Sequence, residues 1–212
     1  MSLQTENLIK NLTGQLKPVV VTRFTAVDFL KVLAVGCLCL FSALALLGLR
    51  FDLLMQLSSL RFFFENLLLV FLAVISILAA FRLSIPSQES KSMLRLPFFA
   101  FFFIGLTTVS SFLTTSEPFL YLGHGFSCVT KMLAIGVLPA SVLFYIIRQG
   151  ASLHRDLTGM MVLVCGVSFG LLGVQWTCPE TTPLHLALWH VLPAMVLMVS
   201  GIWFARKILT KI

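Results

Sequence analysis

The chain has 212 residues, of which 58% are hydrophobic and only 11% are charged, and its mean hydropathy is +1.02. Water-soluble domains are closer to half apolar and a quarter charged, so this composition excludes an ordinary soluble domain. The excess lies in long uninterrupted apolar runs, which are typical of membrane-spanning helices. We therefore expect an all-α, polytopic membrane protein embedded in a lipid bilayer.

Six apolar segments are long enough to cross a bilayer, whose hydrocarbon core of roughly 30 Å takes about 20 helical residues. In chain order they are residues 25–47, 62–81, 96–116, 132–147, 157–176 and 186–205. They divide the chain into a polar tail, residues 1–24, and a domain of six transmembrane helices, residues 25–212.

The basic residues are concentrated on one side of these spans. With the N-terminus in the cytoplasm, all but three of the fifteen lysines and arginines lie on the cytoplasmic side, the exceptions being Arg50, Arg61 and Lys131. Cytoplasmic loops of membrane proteins carry such an excess, so we expect both termini to be cytoplasmic. This topology also accounts for the net charge of +7, and nothing in the charge distribution indicates binding to nucleic acid.

The tail has the pattern of a short amphipathic helix. Its apolar residues recur close to the spacing of one helix face, at Leu8, Ile9, Leu12 and Leu16. An isolated helix of this length is marginally stable in water. The apolar face therefore needs a partner, which is a groove on another protein, the membrane surface or the helix bundle itself.

Residues with metal-binding or redox chemistry gather on the extracytoplasmic side of the spans, namely His124, Cys128, Cys178, Glu180, His185 and His190, the last about a turn into the sixth span. His124 and Cys128 are four residues apart and would share one face of a helix. Thiolates and imidazoles together suit zinc, copper and similar transition metals, so we take His124 and His190 as candidate ligands with the two cysteines.

The same residues allow two other interpretations. In an oxidising periplasm Cys128 and Cys178 would form a plain structural disulfide or a reversible one. The histidines would then be solvated or packed on aromatic rings. No CxxC or HExxH spacing decides between these interpretations.

Other functional classes find less support in the sequence. No Ser/His/Asp set, glycine-rich phosphate loop or pair of carboxylates indicates an enzyme. No ionisable residue falls in the middle of a span and no inverted repeat of broken helices is visible, which argues against a transporter. A small membrane thiol oxidoreductase is a further alternative, although the cysteine spacing does not favour it.

Six ordered blocks carry a resemblance to a known family. They are "LIKNLTGQLKPV", "LGLRFDL", "AAFRLSIP", "GHGFSC", "RQGASL" and "CPETTPLHLALWH". With these blocks the chain resembles the NrsF-type anti-sigma factors of Gram-negative bacteria from end to end. The resemblance implies a six-span inner-membrane protein that holds down a sigma factor of the extracytoplasmic-function (ECF) class.

The resemblance also implies a role for two parts of the chain. Cys128 and Cys178 match the two cysteines regarded as the sensing pair of the family, and the tail matches the segment that engages the sigma factor. We therefore expect an anti-sigma factor, not an enzyme, that releases its sigma factor when a periplasmic cysteine site senses metal or redox stress. The sigma-binding face would be formed by Leu8, Ile9, Leu12 and Leu16.

The predicted topology can be tested by thiol labelling. In a variant without native cysteines, Ser2→Cys and Thr181→Cys, made singly, should lie on opposite sides of the membrane. A membrane-impermeant thiol reagent added to intact cells with a permeabilised outer membrane should label only the second. Labelling of both variants from outside would contradict the predicted topology.

Overall fold

The computed structural model describes residues 3–14, 24–85, 95–100, 102–106, 125–150, 152 and 154–208. Every element of secondary structure among these residues is a helix. In chain order the helices are α1 (Leu3–Gly14), α2 (Ala26–Leu47), α3 (Leu53–Leu57), α4 (Leu60–Leu83), α5 (Arg95–Leu106), α6 (Gly125–Ile147), α7 (Arg155–Thr177), α8 (Pro183–His185), a π-helical segment (Leu186–Val191) and α9 (Leu192–Ile208).

The all-α class and the apolar spans predicted from composition are found in the structure. Five helices among the described residues are long and apolar enough to cross a membrane: α2, α4, α6, α7 and the continuous run Pro183–Lys207. The third predicted span overlaps α5, and its remaining residues, 107–116, lie outside the described part of the chain.

One predicted boundary is wrong in a way that matters for the site. Helix α6 begins at Gly125, well before the predicted start of that span at Met132. Cys128 therefore lies in the first turn of a helix and not in a connection. The prediction missed this turn because hydropathy falls where Lys131 enters the sequence, while the backbone hydrogen bonds of the helix continue past it.

Helix α7 is the centre of the bundle and packs against α4, α6 and α9. Its closest neighbour is α6, where the backbones meet at two glycines: a Cβ added at Gly166 would lie 2.6 Å from the carbonyl oxygen of Gly136. Gly159 of α7 meets Gly201 of α9 in the same manner. Small residues allow such close approach, which is how helices associate in lipid, where no hydrophobic effect drives them together.

Helix α2 lies against α6 and α7 and is much less enclosed than they are. Its buried residues are Val32 and Gly36, and a Cβ at Gly36 would strike the Phe169 ring of α7. A capping box begins the helix, since the backbone N–H of Asp28 donates to the Thr25 hydroxyl and the backbone N–H of Thr25 donates to the Asp28 carboxylate.

The tail forms α1, as the apolar spacing predicted. Leu8 and Leu12 are 59% and 62% exposed and Ile9 is 45% exposed, so the apolar face of α1 lies open. Leu16, the fourth member of the predicted face, lies outside the described residues.

The glycine contact between α6 and α7 gives a stability prediction. Gly166→Leu should lower the melting temperature of the detergent-solubilised protein, because a side chain there meets Gly136 and Ala140. Overpacking typically costs about 1–3 kcal/mol, which corresponds to a shift on the order of 2–12 °C.

Gly105→Leu is the matched control, since a Cβ at Gly105 of α5 meets nothing within 4 Å in the part of the chain that the structure describes. Equal melting temperatures for the two leucine variants would show that the α6–α7 contact is not tight.

Candidate functional site

Four buried side chains meet at one end of the bundle: Cys128, Cys178, His185 and His190. One ligand atom from each lies within 4.8 Å of the others, and all four residues are at most 5% exposed. We call these four residues the Cys/His cluster, and the end of the bundle that holds them the cluster end.

The two cysteines come together because α6 and α7 are in close contact. Cys128 lies in the first turn of α6, and Cys178 caps the last turn of α7, where its backbone N–H donates to the carbonyl of Val174. Pro179 follows directly, and the residue before a proline is disfavoured in helical conformation, so α7 ends at Thr177. The glycine contacts between the two helices thus bring Cys128 and Cys178 together.

The two histidines come together because of the π-helical segment. His185 and His190 are five residues apart, and in an α-helix this spacing turns two side chains roughly 140° away from each other. The structure has i→i+5 geometry over Leu186–Val191, so residues five apart lie nearly above one another. The two rings consequently pack edge to face, with their centroids 5.2 Å apart.

The distances within the cluster are those of unbonded groups in contact. The Cys128 thiol lies 3.4 Å from the sulfur of Cys178, and both cysteines are free. His185 Nε2 lies 3.5 Å from the sulfur of Cys128 and 3.6 Å from that of Cys178. A disulfide has its sulfurs about 2.0 Å apart, so a small movement separates the dithiol from a bonded pair.

The electrostatics of the cluster favour the thiolate at Cys178. The neighbouring Cys128 thiol lowers the pKa of Cys178 by hydrogen bonding, while burial opposes it; His190 and the backbone of Glu180 also act to lower the pKa. A thiolate is the form that binds metal and attacks oxidants.

Two imidazole atoms of the cluster lack hydrogen-bond partners. His185 Nδ1 and His190 Nε2 are buried and unpaired among the described residues. Leaving such a group unsatisfied typically costs about 1–3 kcal/mol, which is a reason to look for a missing ligand. Two sulfurs and two imidazoles make a complete tetrahedral set for zinc and suit other soft metals, so the residues present fit a metal ion.

A cleft leads to the cluster from the surface of the bundle. Its volume is about 270 Å³, and Cys178 and His190 form part of its wall. The remaining wall is polar, with Arg50, Arg61 and Glu65 among its residues. Small ions or oxidants therefore have a route to two of the four cluster residues.

Most of the residues predicted as metal ligands lie in the cluster. Cys128, Cys178 and His190 are brought together. His124 lies outside the described residues. His185 belongs to the cluster but was not among the predicted ligands, because its five-residue distance from His190 does not correspond to one face of an α-helix.

Comparison with known proteins identifies the family. A family model described as NrsF, negative regulator of sigma F, matches residues 12–210, and thus spans the cluster, the apolar helices and part of α1. No curated protein and no solved structure was found to match. Because the match covers nearly the whole chain, the protein belongs to the NrsF family of negative regulators of sigma F.

Proposed function

We propose that this protein is an anti-sigma factor of the inner membrane that sequesters an ECF sigma factor and releases it when the Cys/His cluster, facing the periplasm, binds a metal or is oxidised. The observation that carries the proposal is the cluster itself: two thiols and two imidazoles, buried together and reached by a polar cleft. The family supplies the sigma factor as partner.

The open apolar face of α1 supports the other half of the proposal. Leu8 and Leu12 are largely exposed, and an exposed apolar stripe on a short helix is a typical surface for binding another protein. A signal passes from the cluster to α1 only if the protein has two states that differ in affinity for the sigma factor. Metal binding or oxidation would favour the state with the lower affinity.

Metal binding and oxidation use different members of the cluster. A metal would be held by both sulfurs and both imidazoles, with His185 binding through Nε2, the atom that faces both sulfurs. Oxidation would involve only Cys128 and Cys178: a sulfur–sulfur bond forms, two protons leave, and two electrons pass to an oxidant of the disulfide or peroxide class. The buried Nε2 of His190, which has no hydrogen-bond partner among the described residues, favours metal binding.

The two cysteines are predicted to act as one unit. Cys128→Ser and Cys178→Ser should give the same change in a sigma-dependent reporter challenged with zinc, copper or the thiol oxidant diamide. The double variant should be no more severe than either single variant, because each already destroys the shared site. Cys37→Ser is the matched control, since Cys37 is a free and exposed cysteine of α2.

The histidines separate metal binding from oxidation. If metal is the signal, His185→Ala and His190→Ala should each reduce the reporter response to metal and the metal content of purified protein; loss of a zinc-site ligand or its supporting partner costs on the order of 10- to 100-fold in affinity. If oxidation is the signal, both variants should respond to diamide as the unsubstituted protein does.

For the two cysteines, a reporter response that falls further in the double variant than in either single variant would refute a shared site.

The face of α1 is predicted to bind the sigma factor. Leu12→Asp should weaken binding on the order of 5- to 150-fold, because a leucine buried at an interface contributes about 1–3 kcal/mol. The sigma-dependent reporter should then be active without any stress, and the sigma factor should no longer sediment with membranes.

Asn7→Asp is the control for Leu12→Asp. It adds the same charge to α1 on the side away from Leu8 and Leu12, and it should leave repression intact. Full repression by Leu12→Asp would mean that α1 lies on the membrane surface and does not bind the sigma factor.

A further inference from the structure

Arg50 is a buried charged residue whose contacts join two parts of the chain. Its side chain is only 3% exposed, and its guanidinium holds both carboxylate oxygens of Asp52 at 2.6 and 2.7 Å. The pKa of Asp52 is lowered, chiefly by these bonds, so the carboxylate stays charged and fixes the guanidinium in orientation.

The remaining bonds of Arg50 reach the chain on both sides of Cys178. Its guanidinium donates to the carbonyls of Gln175 and Pro179 at 3.5 and 3.4 Å, and its backbone N–H donates to the carbonyl of Trp176 at 3.0 Å. These carbonyls belong to the last turn of α7 and to the residue after Cys178. Arg50 therefore contacts the backbone on both sides of Cys178.

Helix α2 connects Arg50 to the tail. It ends at Leu47, and Gly48, with a φ of 78°, turns the chain into the Arg50 segment. In its most apolar stretch 17% of the residues are buried, against 89% in α7, so α2 is the less enclosed of the two helices among the described residues. Near its middle it is in close contact with α7, where Gly36 meets the Phe169 ring.

This arrangement has the geometry of a lever. From Gly36 the helix extends about 16 Å to the end near Arg50 and about 15 Å to the end near the tail, at 1.5 Å per residue. A displacement of one end about Gly36 would move the other end by a similar amount in the opposite sense. At the tail end, the Phe24 ring stacks on Phe81 of α4 with centroids 4.8 Å apart.

We propose that Arg50 is the positioning residue that passes the state of the Cys/His cluster to α2, and through α2 to the sigma-binding tail. The proposal rests on the proposed function, since it names the connection between the two sites assumed there. Closing the sulfurs to a bond, or drawing four ligands around an ion, displaces Cys178 and hence the carbonyl of Pro179. The two long bonds from Arg50 then break or shorten, and α2 tilts about Gly36 against its Phe24–Phe81 contact.

The test separates the chemistry of the cluster from its effect on the sigma factor. Arg50→Gln and Arg50→Lys are purified at full length in nanodiscs, and zinc and diamide are each added. Metal content and free thiols report on the cluster, and fluorescence anisotropy of labelled sigma factor reports on its binding. We expect both variants to bind zinc and lose thiols as the unsubstituted protein does.

Binding of the sigma factor should nevertheless lose its response in these variants. The factor by which zinc or diamide changes its affinity, on the order of 5- to 150-fold for an allosteric coupling, should fall to about twofold or less. Arg61→Gln is the matched control: Arg61 lies on the wall of the same cleft but is 43% exposed, and it pairs with Glu65. Its response should be that of the unsubstituted protein.

Two results would overturn the role of Arg50. One is an unchanged response in both Arg50 variants. The other is loss of zinc binding and of thiol reactivity in both, since Arg50 would then build the cluster and not transmit its state. The proposed function fails in a different manner, namely if neither zinc nor diamide changes sigma-factor affinity in the unsubstituted protein.

Discussion

The close approach of α6 and α7 is the constraint on which the rest of the structure depends. Gly136 and Gly166 let the two backbones touch, and this contact sets the position of the first turn of α6 against the last turn of α7. Cys128 and Cys178 lie at those two turns and meet at 3.4 Å as a result. The site is thus built on the most extensively packed pair of helices among the described residues, and a site of four side chains keeps its geometry best on well-packed elements.

The last helix completes the site by departing from α-helical geometry. The π-helical segment Leu186–Val191 turns His185 and His190 toward the same point, and Trp189 within it packs over Gly125 at the start of α6, where no Cβ would fit. Segments of this kind occur often at functional sites. Three of the four buried polar atoms without partners among the described residues belong to His185, Trp189 and His190, so the unsatisfied polar groups are concentrated within and beside the cluster.

The sequence was informative about periodic features and about the cysteines, and less so about local geometry. Long apolar runs predicted the helical class and the five spans that the structure describes, because hydrocarbon thickness sets helix length. Cys128 and Cys178 were predicted as a pair because their connections fall on one side. His185 was missed because no simple periodicity places residues five apart on one face, and the start of α6 was missed because hydropathy falls where Lys131 enters the sequence.

In the proposed mechanism, the free energy of metal binding at the cluster is ample, and the connection between the cluster and the tail is limiting. A hundredfold change in sigma-factor affinity requires about 2.7 kcal/mol of coupling, since each tenfold step takes about 1.4 kcal/mol. Closed sites of this ligand type bind zinc with apparent free energies of about 10–16 kcal/mol, several times that requirement. Under the proposed function, the response is therefore limited by the fraction of this energy that reaches the tail. A well-packed α7 holds the cluster, and the route that we propose for that fraction is α2, which is less enclosed than α7 and is attached at Arg50.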